Sequence, residues 1–413
     1  MNKRQMKDSG IAWVGEIPQE WSIGRIGGLY RVRIEKVSDK EFMPLSVTKK
    51  GVLPQLETAA KTNDGNNRKL VRKGDFAINS RSDRRGSCGI SKYDGSVSLI
   101  NTILKPQKKM NSQYYDWLFH TPNFADEFYK MGHGIVDDLW TTTWDEMKKI
   151  RVPVPSIDEQ QQIADFLDRE CEKIDELKAD IQTQIDTLEQ YKRAVITEAV
   201  THGLNPDVSM KDSGIAWVGE FPAHWERKKG KYILTLLSRP IKKDDGVITC
   251  FRDGEVTLRS NRREEGFTMA DKEIGYQGVN VGDLVVHGMD GFAGAIGISD
   301  SRGKASPVLN VLDTKQNKEY IMYYLRSMAY NDVFTALSTG IRVRSCDLRW
   351  NKLAELLYPL PPIAEQEQIV DYIDYQLART NEIIADKKAQ LETLDEYKKS
   401  LIYEYVTGKK EVI

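Results

Sequence analysis

A long run of apolar residues at seven-residue spacing constrains this chain more than any other feature. The stretch Val152–Val200 begins with the Pro-rich lead-in VPVPSIDEQ and then continues for more than forty residues without Gly or Pro. One apolar row consists of Leu167, Ile174, Ile181, Leu188 and Val195, and a second row beside it consists of Cys171, Leu177, Ile185, Tyr191 and Ala199. This spacing predicts a long helix whose apolar seam packs against another helix.

A partner for this helix lies in the same chain. Tyr358–Gln376 repeats the lead-in at an offset of 206 residues. The apolar positions that follow are Ile373, Leu377, Ile384, Leu391, Leu394, Leu401 and Tyr405. Thr380 and Lys387 stand where the first copy has Ile174 and Ile181, so the register of the pairing stays open. The alternatives to a helix pair that fixes the distance between the two globular parts of the chain are a plain intramolecular stalk and a dimerisation coiled coil.

The duplication extends beyond the helices. The segment Met6–Trp21 returns as Met210–Trp225, with eleven identical residues in a row at an offset of 204. Inside each half, VRKGDFAINS aligns with VNVGDLVVHG, which pairs Gly74 with Gly282 and Asp75 with Asp283. A repeat of this length is too long for a solenoid unit, whose period is roughly 20–50 residues. The sequence therefore predicts a doubled domain.

The predicted fold is mixed, α+β: two globular domains and two long helices that form an antiparallel intramolecular coiled coil with a pseudo-twofold axis. The predicted bounds are 1–155 and 202–361 for the two globular domains and 156–201 and 362–408 for the two helices. About 44 helical residues correspond to roughly 66 Å of rod. We expect one globular domain at each end of this rod.

This doubled arrangement resembles the specificity subunit of type I restriction–modification enzymes. The resemblance rests on the opening SGIAWVGEIPQEW and on the two helices that begin with PVPSIDEQ and PLPPIAEQ, and it covers essentially the whole chain. It implies a non-catalytic DNA-sequence-specificity subunit with one target recognition domain per half, which reads a bipartite, asymmetric DNA target. It also implies two methyltransferase (M) subunits, which use S-adenosylmethionine to methylate adenine N6, and restriction/translocase (R) subunits, which use ATP and Mg²⁺. These cofactors belong to the partners, and no cofactor is expected in this chain.

Charge is distributed unevenly along the sequence. The net charge is −1 overall, but the two helical stretches carry −7 and −5, so the rest of the chain carries +11. Basic globules with acidic helices are typical of a protein whose globules meet phosphate while the helices face another partner.

Basic loops provide the candidate DNA contacts. Arginine can bind guanine O6 and N7, and Lys and Ser can bind phosphate, so loops rich in these residues are suited to a duplex. The candidates in the first half are Lys49, Lys50, Arg68, Arg81, Arg84 and Arg85, and those in the second half are Arg252, Arg259, Arg262, Arg263, His287 and Met289. A solvated basic loop is the alternative for each of them, and a packed or surface histidine is the alternative for His287.

Two further groups leave two interpretations open. Thr141 and Thr142 in the first half, and Arg342 and Arg344 in the second, either grip the DNA backbone or seat the following helix on its globule. The pairs Glu159–Gln160 and Glu365–Gln366 either face the methyltransferase subunits or supply favourable chemistry at the helix start. The repeated tryptophans Trp13, Trp21, Trp217 and Trp225 are interpreted as buried anchors rather than base-stacking platforms.

Composition narrows the remaining classes. The 413 residues contain no apolar run long enough to span a membrane and no secretory leader at Met1, and the four cysteines form no CxxC, so we expect a cytoplasmic protein without a metal site or disulfides. No phosphate-binding loop, HExxH or methyltransferase proline motif occurs, so we predict no catalytic residues. A DNA-binding scaffold that works without a methyltransferase and a self-contained methyltransferase are the alternative functions.

Overall fold

The computed structural model describes residues 4–55, 64–134, 140–262, 274–336 and 348–412. The chain divides into two compact units, and both boundaries fall inside long helices. The first unit is Met1–Ile181 with Lys388–Ile413, and the second unit is Gln182–Lys387.

Short strands and helices precede the first long helix. They are β1 (Met6–Asp8), β2 (Glu16–Pro18), β3 (Ser22–Arg25), α1 (Ile26–Leu29), β4 (Tyr30–Val32), β5 (Lys36–Val37), β6 (Leu45–Thr48), β7 (Gly51–Pro54), β8 (Arg68–Val71), β9 (Phe76–Asn79), β10 (Cys88–Ile90), β11 (Gly95–Val97), β12 (Asn101–Pro106), α2 (Ser112–Phe119), α3 (Pro122–Lys130), α4 (Trp144–Met147) and β13 (Arg151–Val154). The long helix α5 then covers Ile157–His202.

Most of these elements return in the same order after α5, with twelve strands against thirteen in the described residues. The elements are β14 (Met210–Asp212), β15 (Glu220–Pro222), β16 (Glu226–Lys229), β17 (Leu234–Leu236), β18 (Ile248–Cys250), β19 (Val256–Leu258), β20 (Gln277–Val279), β21 (Leu284–His287), β22 (Ile296–Ile298), β23 (Gly303–Ala305), β24 (Leu309–Thr314), α6 (Lys318–Tyr330), α7 (Val333–Ala336), α8 (Trp350–Leu353) and β25 (Leu357–Leu360). The second long helix, α9, covers Ile363–Val406.

A four-stranded antiparallel sheet forms the centre of each unit, with equivalent strand order. The order is β10-β9-β12-β4 in the first unit and β22-β21-β24-β17 in the second. Smaller ladders surround each sheet, including β3 with β13 and the equivalent β16 with β25. The predicted mixed fold and its duplication are confirmed.

An aspartate fixes the turn before the central strand in both units. Gly74 and Gly282 have φ of 89° and 83°, a region that glycine enters without strain. The Asp75 carboxylate accepts the backbone N–H of Arg72 at 2.9 Å, and Asp283 accepts the N–H of Asn280 at 2.7 Å. These two aspartates are buried, and each forms an ion pair with an arginine, Arg33 in the first unit and Arg239 in the second. The repeated Gly-Asp signal therefore marks a structural turn.

Aromatic residues from the short helices cover the central sheet of the first unit. Phe76 on β9 lies 4.9 Å from Phe119 on α2, and Phe119 lies 4.5 Å from Phe124 on α3, measured between ring centroids. These contacts bury apolar surface on one face of the sheet, which is the main source of stability in a domain of this size. In the second unit α6 has the equivalent place and buries Tyr320 and Tyr324.

The long helices begin and end within two residues of the predicted bounds, and they pack against each other. In the first unit Phe166 of α5 stacks on Tyr405 of α9 at 4.3 Å between ring centroids, and Lys398 Nζ lies 2.6 Å from Asp175 Oδ1. Residue numbers rise along α5 as they fall along α9, so the predicted antiparallel pairing is confirmed there. In the second unit Lys387 Nζ donates a hydrogen bond to Gln184 Oε1.

The apolar seam differs from its prediction at a few positions. Leu167, Ile174 and Ile181 are buried, but Leu177 and Tyr191 of the predicted second row are 48% and 46% exposed. Each residue turns an α-helix by about 100°. Leu177 and Tyr191 lie six residues after the buried Cys171 and Ile185 instead of seven, so they face away from the seam. Thr380 is buried in the seam of α9, where its hydroxyl donates to Gln376 O at 2.7 Å. The polar interruption is thus satisfied within the helix, and the seam continues past it.

Candidate nucleic-acid interface

Two loops of the first unit line one cleft. The β6–β7 hairpin turns through Lys49 and Lys50, where Gly51 has a φ of 101°. A second loop follows β9 and carries Arg84. The cleft has a volume of about 1030 Å³, and its lining includes Lys49, Arg84 and the strand-end residue Asn79. The structure therefore brings together two basic segments that are more than thirty residues apart in the sequence.

The arginines of the second loop have different environments. The Arg84 side chain is 68% exposed, and its Nε lies 3.6 Å from Asp83 Oδ2, so a phosphate would compete with this carboxylate. Arg85 forms an ion pair with Asp126 of α3, so its charge is partly neutralised within the unit. Arg81 is exposed, and its backbone forms an isolated bridge with Thr141. The DNA contacts predicted for these residues stay predictions.

Burial corrects two of the predicted DNA contacts. Arg68 is 3% exposed, and its guanidinium donates to Ser96 Oγ and Ser96 O, both at 2.9 Å. Burial also lowers the pKa of Arg68. Thr142 is fully buried, and its hydroxyl donates to Phe128 O at 2.7 Å. Both side chains hold the globule together. Arg68 also belongs to the lining of the cleft, but its guanidinium is bonded inside the fold.

Ion pairs within the second unit engage two of the three predicted arginines that the structure describes. Arg252 lies 2.9 Å from Asp290. Arg262 lies 2.8 Å from Asp253 and 2.9 Å from Glu255. DNA binding here would exchange a carboxylate partner for a phosphate, which makes each contact weaker than one from an unpaired arginine.

Of the remaining predicted residues of the second unit, Arg259 directly follows β19, and His287 and Met289 lie at the end of β21. Arg259 Nε donates to Thr249 Oγ1 at 3.2 Å. His287 accepts two backbone N–H groups, and its pKa is lowered, chiefly by burial. Met289 is 52% exposed. The predicted contacts Arg263, Arg342 and Arg344 lie outside the described residues.

The first Glu-Gln pair anchors the start of α5 on its own globule. Glu159 accepts the indole N–H of Trp21 at 2.7 Å. Gln160 is 2% exposed; its Oε1 accepts the backbone N–H of Asn111 at 2.9 Å, and its Nε2 donates to Pro155 O at 2.9 Å. Trp21 is 1% exposed, which confirms its interpretation as a buried anchor.

The second Glu-Gln pair repeats this arrangement atom for atom. Glu365 accepts the indole N–H of Trp225 at 2.9 Å, Gln366 Oε1 accepts the N–H of Asn317 at 3.0 Å, and Gln366 Nε2 donates to Pro361 O at 2.9 Å. Gln366 is fully buried. This corrects the prediction that Gln160 and Gln366 face a methyltransferase subunit, because their amides are used inside the fold. The two glutamates are bound in the same anchors, so the helix-start interpretation holds for both pairs.

Sequence reasoning missed Asn79 and Asn101, which lie in the lining of the cleft in the first unit. Both are more than nine-tenths buried, although asparagine is usually exposed. The sequence could have identified Asn79 as a candidate, because it aligns with His287, a predicted DNA contact at the end of the equivalent strand. Neither residue is basic, so a search for phosphate-binding side chains passes over them.

Neither a metal-binding group nor a membrane-spanning helix occurs in the described part of the chain. Within those residues, no group of three or more His, Cys, Asp and Glu side chains could hold a metal ion. In the same part of the chain, no helix is long and apolar enough to cross a membrane.

A duplicated mixed fold, with basic loops in each unit and two long acidic helices, defines a two-module nucleic-acid recognition protein. The chain belongs to the family described as the type I restriction modification DNA specificity domain, whose model matches residues 18–187 and 277–393. One match covers most of each repeat. The predicted specificity subunit of a type I restriction–modification system, a non-catalytic part of the enzyme complex, is thereby confirmed.

Known proteins resemble this chain over nearly its full length. The type I restriction enzyme MjaVIII specificity subunit of Methanocaldococcus jannaschii is 24% identical over 427 residues, which covers 96% of this chain and 94% of that protein. A solved chain from a study of complex assembly and conformational transition of the type I R-M system has a TM-score of 0.70 at 12% identity and covers 95% of this chain and 99% of its own length. The HsdS subunit from Thermoanaerobacter tengcongensis has a TM-score of 0.51 at 13% identity, with 95% and 98% covered. At these identities the two structures support the fold alone.

Proposed function

We propose that the chain reads a bipartite, asymmetric DNA target, with one half-site recognised by the globule of each unit. The observation that carries this proposal is the contrast between scaffold and loops. The central sheets have equivalent strand order, and the helix anchors match atom for atom. The loops after β9 and β21 differ in sequence, SRSDRRGS against GMDGFAGA. One frame with two different loop sets is what two different half-sites require.

The long helices would serve as the spacer between the half-sites. α5 and α9 contain 46 and 44 residues. A helix cannot stretch by the 3.4 Å rise of a base pair without breaking its hydrogen bonds. The complex would therefore accept one gap length, with half-site centres about one helical turn of DNA apart, roughly 10 bp.

The partners would supply the chemistry. Two methyltransferase subunits would bring S-adenosylmethionine and methylate adenine N6, and restriction/translocase subunits would bring ATP and Mg²⁺. The solvent-facing carboxylates of α5 and α9 are the surface that we assign to the methyltransferase subunits, because these helices carry the excess negative charge of the chain. The complex would act in the cytoplasm, where its DNA target is found.

Sequencing of methylated DNA tests the bipartite reading directly. The chain is assembled with its methyltransferase subunits, and the methylated motif is determined for the native chain and for a variant in which residues 80–89 are replaced by residues 288–297. We expect the native motif to have two halves and a constant gap, and the replacement to change one half only. A replacement that changes both halves would refute independent recognition by the two units.

Salt dependence tests the cleft of the first unit. Each phosphate contact contributes about one unit to the slope of log K against log salt concentration. We expect Lys49→Ala and Arg84→Ala each to lower the slope by about one unit and to weaken binding to all sequences alike. Lys109→Ala is the matched control, because Lys109 is exposed and does not line the cleft. Equal slopes of log K against log salt concentration for all three variants would show that the cleft is not part of the DNA interface.

A further inference from the structure

The two central strands end in side chains that use their polar atoms in the same way. β9 ends at Asn79 and β21 ends at His287, and these residues align when the two halves are superimposed on Gly74 and Gly282. Each strand has the same place in its sheet, between the equivalents β10 and β12 in the first unit and β22 and β24 in the second. Each residue is therefore at the point where the scaffold ends and the variable loop begins.

Asn79 keeps its acceptor atom occupied and its donor available. Its Oδ1 accepts the backbone N–H of Arg81 at 3.1 Å, which closes the first turn of the loop. This bond identifies the other amide atom as Nδ2. The described part of the chain offers no hydrogen-bond partner to Nδ2, although the residue is only 8% exposed.

His287 shows the same division between acceptor and donor. Its Nδ1 accepts the backbone N–H groups of Met289 at 3.2 Å and of Asp290 at 3.0 Å. Because Nδ1 accepts two hydrogen bonds, the ring proton is on Nε2. The nearest carboxylate oxygen, Asp290 Oδ2, is 3.9 Å from Nε2 and is too distant for a hydrogen bond. Burial lowers the pKa of His287, which keeps the ring neutral with this single donor.

One polar atom of a neighbouring side chain in the first unit also has no hydrogen-bond partner among the described residues. The pairing of β9 with β12 places Asn101 opposite Asn79. Asn101 is 5% exposed; its Nδ2 donates to Ser98 O at 3.1 Å, and its Oδ1 has no hydrogen-bond partner among the described residues. Buried polar atoms without partners are rare in folded proteins, and each one calls for an explanation such as a bound water or ion. Both asparagines belong to the lining of the cleft of the first unit.

We propose that Asn79 and His287 are specificity-determining residues, each of which donates one N–H to the edge of a base in its own half-site. The inference rests on the proposed function, because it assumes that each unit reads its own half-site. Nδ2 of Asn79 and Nε2 of His287 have fixed directions, because the loop backbone holds the other polar atom of each side chain. A donor fixed in this way binds N7 of a purine, O6 of guanine or O4 of thymine, and it is incompatible with the amino groups at cytosine N4 and adenine N6.

Replacing the donor by an acceptor tests this inference without disturbing the turn. Asn79→Asp and His287→Asp keep an oxygen that can accept the loop N–H groups, but they remove the N–H donor. We expect each variant, assembled with methyltransferase subunits, to shift the base preference towards cytosine at one position of one half-site, by about tenfold to a hundredfold. His287→Asn restores an acceptor and a donor and should retain the native preference. A set of methylated sites that is unchanged in both aspartate variants would overturn the inference.

Asn205→Asp is the matched control. Asn205 also accepts a backbone N–H two residues ahead, from Asp207 at 3.0 Å, and it lies in the linker after α5. This variant adds the same negative charge and preserves the same kind of turn, so the native motif should persist. If the methylated motif of the native chain does not have two halves, the proposed function is wrong. If it has two halves and neither aspartate variant changes them, only the present inference is wrong.

A binding measurement covers the case in which an aspartate variant no longer methylates DNA. Target duplexes in which one purine at a time carries carbon in place of N7, one guanine at a time is replaced by 2-aminopurine, which lacks O6, or one thymine at a time carries sulfur in place of O4, are bound by the native complex and by Asn79→Ala. We expect one substitution in one half-site to weaken native binding about tenfold and to have no effect on Asn79→Ala. Native binding that tolerates every substitution in that half-site would also overturn the assignment.

Discussion

Two neighbouring tyrosines in the first unit should respond in opposite directions to the loss of a hydroxyl. Tyr114 is fully buried, and its hydroxyl donates to Val406 O at 2.8 Å, in the last turn of α9. The last carbonyls of a helix have no partner within the helix, so this bond caps the end of α9. Tyr115 is equally buried, but within the described residues its hydroxyl has no hydrogen-bond partner.

The magnitudes follow from these two environments. Tyr114→Phe removes a buried hydrogen bond and leaves the Val406 carbonyl unpaired, which we expect to lower the free energy of unfolding by about 1–2 kcal/mol. Tyr115→Phe removes an unpaired buried hydroxyl, so the free energy of unfolding should stay constant or rise by up to about 1 kcal/mol. Each substitution removes a single oxygen atom, so differences in cavity size do not obscure the comparison.

Urea denaturation of the whole chain provides the assay. With an m value of about 3 kcal/mol per molar urea, Tyr114→Phe should shift the midpoint of the transition of the first unit down by about 0.3–0.7 M. Hydrogen exchange at the end of α9 should rise in the same variant and not in Tyr115→Phe. Equal shifts for the two variants would refute the reasoning, because they would mean that the bond to Val406 contributes nothing beyond packing.

Three further substitutions test the packing of the fold. Gln160→Ala should lower the free energy of unfolding by about 2 kcal/mol, measured by urea denaturation, because two buried backbone groups lose their partner. Gly297→Ala should be more destabilising than Gly28→Ala by at least about 2 kcal/mol in thermal unfolding, because a Cβ at Gly297 would lie 1.9 Å from a backbone oxygen, whereas one at Gly28 meets nothing within 4 Å. A double-mutant cycle on Lys398 and Asp175 should give a coupling energy below about 1 kcal/mol, because both side chains are partly exposed to solvent.

The sequence predicted those features that depend on periodicity and repetition. Repetition aligned the two halves, and the absence of Gly and Pro marked both long helices to within two residues of their ends. The exposed positions Leu177 and Tyr191 were misassigned because they lie six residues after Cys171 and Ile185, which places them on another face of the helix.

The candidate site was predicted less well, because burial cannot be read from charge. Arg68 and Thr142 lie in segments with the composition of a DNA-binding loop, but both side chains are buried and bond to groups inside the globule. Gln160 was assigned to a partner surface for a similar reason, since a polar residue in an acidic helix is usually exposed. In each case a backbone group without a local partner determined the outcome, and that need becomes visible only when the tertiary structure is known.

Because the contacts that anchor each long helix are equivalent in the two halves, either globule could be joined to either long helix. A globule that places an indole and a cap residue where Trp21 and Asn111 lie can anchor a long helix that begins with a Glu-Gln pair. The globule of the second half places Trp225 and Asn317 in the same way. Exchange of the two halves between related genes would therefore yield folded proteins with new pairs of half-sites. New DNA targets can arise from such shuffling in a single step, before any base-contacting residue has mutated.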